Sequence, residues 1–455
     1  MKSIYFVFVF LFIKSAICAP KQSSNDIPTA KLKLVQIVHR HGDRTPISFF
    51  PNDQLGRPEI WPDGFGQLNS KGKRRMYKMG EYLRNYYSNF LGDICNPRSI
   101  YVRSSASDRC IESASALLAG LCPPNDRWVW CGGIDSCKDI AGRWQPIAIQ
   151  TVDKSLDSLL YPEADCPAAE EDRLKVIRSS EVQEKLKNSK EFIDSIAQFT
   201  NSKKLANETT MLKELMYIHD TLKCEIENEK YENVKKLEDK FGKDNNIIER
   251  LRDCALLAFN YDFKTDKIRR LRAGPLLGQL VKNINNVRNL NETKKLFIYS
   301  THDTVIIPLM KALDVYNEPP IYGAGLVFEL YHVNSIPEYY LNISYINHTY
   351  GNEYENAFHH IQLPKCTSHS FCTFNELNSS ISRFIPDNWN EECGNRNLVS
   401  NSSGNKLTDE AKVGISIGVG VGVIIILLII GMICVNQKNK NRSMKSSIEE
   451  SRAKF

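Results

Sequence analysis

The chain has 455 residues, 42% of them apolar and 10% aromatic, with 59 Lys and Arg against 53 Asp and Glu for a formal charge of +6. That much apolar and aromatic material excludes a disordered or collagen-like chain. Lys2 and Lys14 carry two of the six net charges, and residues 436–455 (six Lys/Arg, two Glu) carry four more, so the body between them is neutral and implies no nucleic-acid surface.

The opening MKSIYFVFVFLFIKSAICAP runs from Lys2 through an apolar stretch at 4–13 to the small residues Ala16 and Cys18, the pattern of a secretory signal at 1–18. KLKLVQIVHRHG alternates and then turns apolar before a glycine, as a buried strand does where it ends in a loop. NSKGKRRMYKMGEYLRNYYSNFL spaces Met76, Met79, Tyr82, Leu83, Tyr86 and Tyr87 at helical intervals behind the cap candidates Asn69 and Ser70. IYVRSS reads as a second strand, and DRCIESASALLAGL as a helix with Asp108 and Arg109 as charges on its first turn. Strand, helix, strand, helix favours an α/β protein with a parallel sheet and helices on its faces.

From 155 to 256 the composition shifts to charged helical stretches such as EVQEKLKNSKEFIDSIAQF, which read as a helical insertion or cap. The α/β domain is then expected from 31–154 and 257–395. GPLLGQLVKNINNVRN is a helix, and KKLFIYSTHDT is again a strand that ends in a histidine. GLVFELYHV and EYYLNISYIN follow as antiparallel strands, and residues 396–412 read as a polar stalk. Residues 413–435 are 23 positions without a charge, enough to cross a ~30 Å hydrocarbon core, and the basic tail at 436–455 puts that end in the cytosol. A single-pass type I membrane protein is expected, its body luminal or extracellular, in the lysosome or at the plasma membrane.

Cysteines and sequons agree with that compartment. Of 13 cysteines, setting aside Cys18 and Cys434 leaves eleven, an odd number, so at least one thiol stays unpaired within the chain. Asn207, Asn291, Asn342, Asn347, Asn378 and Asn401 each begin an Asn-x-Ser/Thr site and are candidate glycan acceptors on surface loops.

Ligands of open α/β sheets gather outside the carboxyl ends of strands. HRHGDR and THD both fall at such ends. The first supplies Arg40, His41 and Arg44, the second His302 and Asp303, and VRSS adds Arg103. Three guanidiniums, two imidazoles and one carboxylate call for a strongly anionic ligand, and the planar fork of arginine matches phosphate oxygens. Asp43 and His39 read as structural residues, and His359 with His360 lacks a third metal ligand at usable spacing.

RHGDRTP followed by the distant THD resembles the histidine acid phosphatases, the acid branch of the histidine phosphatase superfamily. VRSS, the WPxGxGQL segment at 61–68, ALDVYN at 312–317 and the anchored design extend the likeness over residues 31–393. The resemblance implies a phosphoglycerate-mutase-like three-layer fold with a mainly parallel central sheet. It also implies hydrolysis of small phosphomonoesters without metal or other cofactor, and a possible homodimer. His41 is then the nucleophile that becomes phosphorylated, Asp303 the general acid, and Arg40, Arg44, Arg103 and His302 the holders of the non-bridging oxygens. Surrounding guanidiniums would keep His41 neutral in acid, and a bound phosphate dianion would favour protonation of Asp303, so an acidic optimum is expected. A phytase or inositol polyphosphate phosphatase shares the same core, and an inactive binding ectodomain is a further alternative that the intact residue set opposes. The family pattern joins Cys366 to Cys372 and Cys166 to Cys393. YGAGLVFEL lacks the cysteine usually found there, which makes Cys254 the expected partner of Cys224. Cys95, Cys110, Cys122, Cys131 and Cys137 are not assigned.

Overall fold

Leu34 to Arg40 form an unbroken buried run in the first strand, β1 (Ala30–Arg40), as a strand covered on both faces requires. The computed structural model describes residues 30–92, 96, 98–123, 145–243, 246–333, 338–347, 357–368 and 371–395. These belong to one compact unit that ends at Asn395. The expected signal at 1–18 and the expected stalk, apolar run and tail at 396–455 lie outside the described residues. Among the described residues no helix is long and apolar enough to cross a membrane.

β1 sits at the centre of a mixed sheet. On one side it pairs in parallel with β4 (Leu296–Thr301), which pairs in parallel with β2 (Ile100–Ser105), with β3 (Gln150–Val152) at that edge. On the other side it runs antiparallel to β5 (Gly325–Val333), followed by β6 (Tyr339–Ile346) and β7 (Phe358–His360), while β8 (Cys372–Thr373) also joins β6. The register sets His39 beside Ser300 and Arg40 beside Thr301, so the carboxyl ends of β1 and β4 finish level with each other.

Helices cover both faces. On one lie α1 (Ser70–Tyr86), α2 (Ser88–Leu91) and α3 (Asp108–Leu121), whose Met76, Met79, Leu83, Leu117 and Leu121 meet Val35, Ile37, Val102 and Ile298 of the sheet. Asn69 caps α1, its side-chain oxygen accepting from the Gly72 N–H at 2.8 Å. α1 and α3 touch backbone to backbone: a Cβ at Gly80 would collide with the Leu117 carbonyl, and one at Gly120 with that of Tyr77. The opposite face carries α10 (Asp266–Arg288), α11 (Asp303–Ala312), α12 (Phe374–Ile381) and α13 (Trp389–Cys393), with Leu276, Leu280, Ile306 and Leu309 against Leu34, Val38, Phe297 and Tyr299.

Between these layers in sequence come α4 (Pro167–Ile177), α5 (Ser180–Asn188), α6 (Lys190–Thr200), α7 (Glu208–Glu227), α8 (Glu232–Phe241) and α9 (Ile247–Asp262). They bury an apolar core of their own, including Leu215, Leu222, Leu237 and Leu251, into which Phe50 and Ile307 project from the α/β part. The sequence boundary at 256 falls inside α9, because Ala258 and Tyr261 in its last turns still belong to that core.

Two disulfides tie the unit. Cys166 bonds Cys393, joining the start of α4 to α13 across 227 residues, and Cys366 bonds Cys372. Cys122 is disulfide-bonded as well. The expected Cys224–Cys254 bond is corrected: both are separate buried thiols, as is Cys110. Cys254 on α9 faces the helical core, whereas Cys224 on α7 turns toward Arg44 and Tyr322, so the two side chains point apart. Among the sequons, Asn207 and Asn291 are exposed. Asn342 is partly covered on β6 and spends its amide N–H on Glu329 at 2.6 Å, and Asn378 lies within α12, so these two do not sit on open loops. Asn401, Cys95, Cys131 and Cys137 lie outside the described residues.

Candidate active site

His41 follows directly on β1. Its N–H donates to the Thr301 carbonyl of β4 at 3.0 Å, and its carbonyl accepts from Gly323 N–H at 3.0 Å, so the peptide is held from both neighbouring segments. The next residue must be glycine, since a Cβ at Gly42 would run into the Gly72 backbone. Gly42 N–H donates to Ser113 Oγ at 3.0 Å. The imidazole of His41 is buried, with Nδ1 2.9 Å from the Gly42 carbonyl. A carbonyl only accepts, so Nδ1 carries the proton and Nε2 the lone pair. Burial first, then Arg109, Arg40, Arg44 and the adjacent His302, hold this imidazole well below its ordinary pKa. His41 is therefore neutral in mild acid.

Three guanidiniums surround it. Arg40 pairs with Asp303 at 2.7 Å, donates to the Pro320 carbonyl at 2.8 Å and lies 4.2 Å over the ring of Tyr322. Arg44 is gripped by both oxygens of Asp220 on α7 at 2.9 Å and approaches Cys224 Sγ at 3.2 Å. Arg109, on the first turn of α3, donates to His302 Nδ1 at 3.2 Å. Since Nδ1 accepts, Nε2 of His302 carries the proton and donates to Ser105 Oγ at 3.1 Å. The rings of His41 and His302 meet edge to face at 5.6 Å. Asp303 begins α11 and keeps its carboxyl partly open to solvent.

The structure thus brings together Arg40, His41, Arg44, His302 and Asp303. Arg103 is engaged elsewhere: its guanidinium donates to the buried Asp157 at 2.6 Å, and the guanidiniums that chiefly lower the His41 pKa are those of Arg109, Arg40 and Arg44. The physical reason lies in the strand end. Arg103 is inside β2, level with Tyr299, whereas the chain leaves the sheet at Ser105 and Arg109 stands beyond that end. Sequence reading took Arg109 for a helix-terminal charge; its position just past a strand's carboxyl end was the available signal. Tyr322 and Asp220 were also missed. Tyr322 is buried beneath Arg40 and Arg44, its ring 5.7 Å from that of His41, and its hydroxyl meets Cys224 Sγ at 3.2 Å. No local pattern announces either residue, because both reach the site through tertiary packing. Asp43 pairs with Arg75 at 2.6 Å, and His39 is buried, with burial lowering its pKa to about 4.

Nε of Arg40, Arg44 and Arg109 is buried and has no hydrogen-bond partner among the described residues. Three unsatisfied cationic donors around one lone pair suit an oxyanion. No cluster of three or more metal-ligating side chains occurs among the described residues.

A family model, the histidine phosphatase superfamily (branch 2), matches residues 31–350, and the chain belongs to that family. Within it, the chain is 33% identical to the prostatic acid phosphatase of Rattus norvegicus over 366 residues, covering 80% of this chain and 89% of that one. It is 31% identical to the lysosomal acid phosphatase of Homo sapiens over 368 residues, covering 80% of each. Among solved structures, the phytase of Citrobacter braakii aligns with a TM-score of 0.58 at 18% identity over 80% of this chain and 99% of that one. That likeness is one of fold.

Proposed function

We propose that the chain is an acid phosphatase that hydrolyses orthophosphoric monoesters through a phosphohistidine. The observation that carries this reading is the trio of buried, unpartnered Nε donors on Arg40, Arg44 and Arg109 around the neutral His41. Nε2 of His41 attacks phosphorus while Asp303 gives its proton to the departing ester oxygen, releasing the alcohol. Water then attacks the phosphohistidine, Asp303 takes its proton, and inorganic phosphate leaves with the imidazole restored. The guanidiniums serve twice, since they hold the imidazole neutral and stabilise charge on the equatorial oxygens. His302 accepts from Arg109 and so holds that guanidinium beside His41. Acid phosphatase relatives are nearer in sequence than the phytases, which favours the simple monoesterase.

The signal at 1–18 and the apolar run at 413–435 support a single-pass type I anchor with the catalytic body luminal or extracellular, and the lysosomal relative favours the lysosome. A homodimer belongs to the same reading, and light scattering tests it. The central experiment is rapid acid-free quenching of the chain with a labelled aryl phosphate. A base-stable, acid-labile label on His41 is expected, absent in His41→Ala. Equal turnover in the two proteins refutes the assignment.

A further inference from the structure

A second concentration of positive charge lies away from the catalytic histidine. The end of α11, the first turn of α10, the turn at 363–365 and the segment after α12 enclose a cavity of about 240 Å³. Lys311, Arg269, Lys365 and Arg383 line it, against the single carboxylate of Asp314. Lys311 is eight residues along α11 from Asp303, about 12 Å at 1.5 Å per residue, so the cavity and the catalytic site occupy opposite ends of one helix.

The charges there are incompletely neutralised. Asp266 bridges Arg269 at 3.4 Å and Arg383 at 3.3 Å, which sets those two guanidiniums side by side on one wall. Lys311 and Lys365 have no ion-pair partner among the described residues; Lys311 rests on the amide oxygen of Asn260 at 3.1 Å and over the ring of Tyr316 at 4.5 Å. Burial, and then the charge of Arg269, lower the Lys311 pKa to about 8, and the opposing charge of Asp262 offsets these only in part. Leu313 and Leu363 supply an apolar floor beside these cations.

We propose that this cavity is a second anion site that takes a small molecule bearing a phosphate or sulfate group. Guanidinium and ammonium groups lining a concave wall are the kind of donor set that holds a tetrahedral oxyanion, with the exposed Lys365 free of any ion pair among the described residues. The volume falls just below the ~300 Å³ at which pockets for organic ligands begin, which suits an oxyanion alone or one on a single sugar ring. The site is independent of the catalytic reading, since no residue is shared between them.

The test is calorimetric titration of the full chain in detergent with inorganic phosphate, compared with Lys365→Glu, a change at an exposed position that leaves folding undisturbed. Two sites are expected in the unaltered chain. In the variant one of them weakens about tenfold, the size of one charge-assisted hydrogen bond, while the other and the turnover of an aryl phosphate stay unchanged. Lys311→Gln is expected to act in the same direction. A parallel titration with galactose 6-sulfate distinguishes the source: tighter binding than phosphate supports a sulfated sugar, weaker binding supports free phosphate. A single site in the unaltered chain that Lys365→Glu leaves unchanged, two sites of unchanged affinity in Lys365→Glu, or no binding of either probe that depends on Lys365 overturns the proposal. Because sites are counted without turnover, failure here is separable from failure of the phosphatase reading.

Discussion

Glu225 offers the sharpest test of how this fold responds to pH. It is fully buried on α7 and faces the carboxyl of Asp53, and the amide of Asn233 donates to both, at 3.0 and 3.1 Å to Glu225 and 2.7 Å to Asp53. A second carboxyl on the same amide disfavours a charge on the buried Glu225; burial first, and then Asp53, push its pKa from 4.5 up to about 9. The folded state therefore keeps a proton that the unfolded chain releases above its own pKa. The resulting stability is complete below pH 4.5 and falls as pH rises toward about 9, by about 1.4 kcal/mol per unit. Between pH 6.5 and 8 the loss is on the order of 2 kcal/mol. That window avoids the buried histidines, whose lowered pKa values act below 6.5, and Lys311, which acts above about 8. Glu225→Gln keeps the shape and removes the titration. Urea midpoints measured across the window should fall steeply with pH for the unaltered chain and remain nearly level for the variant. Parallel slopes in the two proteins would refute the shared-proton account.

Further outcomes follow from the site. Arg109→Ala should lower kcat/KM by about 10²–10³, as loss of an oxyanion donor does, whereas Arg103→Ala, which frees Asp157, should act mainly on melting temperature. Asp303→Asn should slow alkyl phosphates far more than p-nitrophenyl phosphate, whose leaving group needs little protonation; equal losses would remove Asp303 as the acid. Iodoacetamide should fail to label Cys224, Cys110 and Cys254 in the native protein and label all three in urea, because burial raises their pKa values, to about 12 for the first two and about 11 for the third.

Much of the site was legible because its parts sit at points where the sequence changes character. HRHGDR and THD each interrupt an apolar run, and that interruption marks a strand's carboxyl end. The parallel register of β1 and β4 then brings position 41 beside position 302 with no further information. The strand–helix alternation of the first third and the antiparallel pair after 325 were legible on the same grounds. Arg109 was hidden by ambiguity of a different kind. Two arginines flank the end of β2, and local pattern does not say which side chain turns inward. The structure answers through Asp157, which captures Arg103. Tyr322, Asp220 and the solitary Cys224 come from segments remote in sequence: Tyr322 from the turn before β5, held beside His41 by the Gly323 N–H, and Asp220 and Cys224 from α7, through their contacts with Arg44.

The Cys166–Cys393 bond has a mechanical consequence. Cys393 stands two residues before the unit ends at Asn395, so a pull on the following chain meets a covalent stop almost at once. The load bypasses α13 and enters the first turn of α4, sparing the weaker grip of Trp389 on the Leu271 carbonyl and of Arg270 on Glu392. Tension from that end would then enter the fold at Cys166 through a covalent link, rather than through the hydrogen bonds that seat α13.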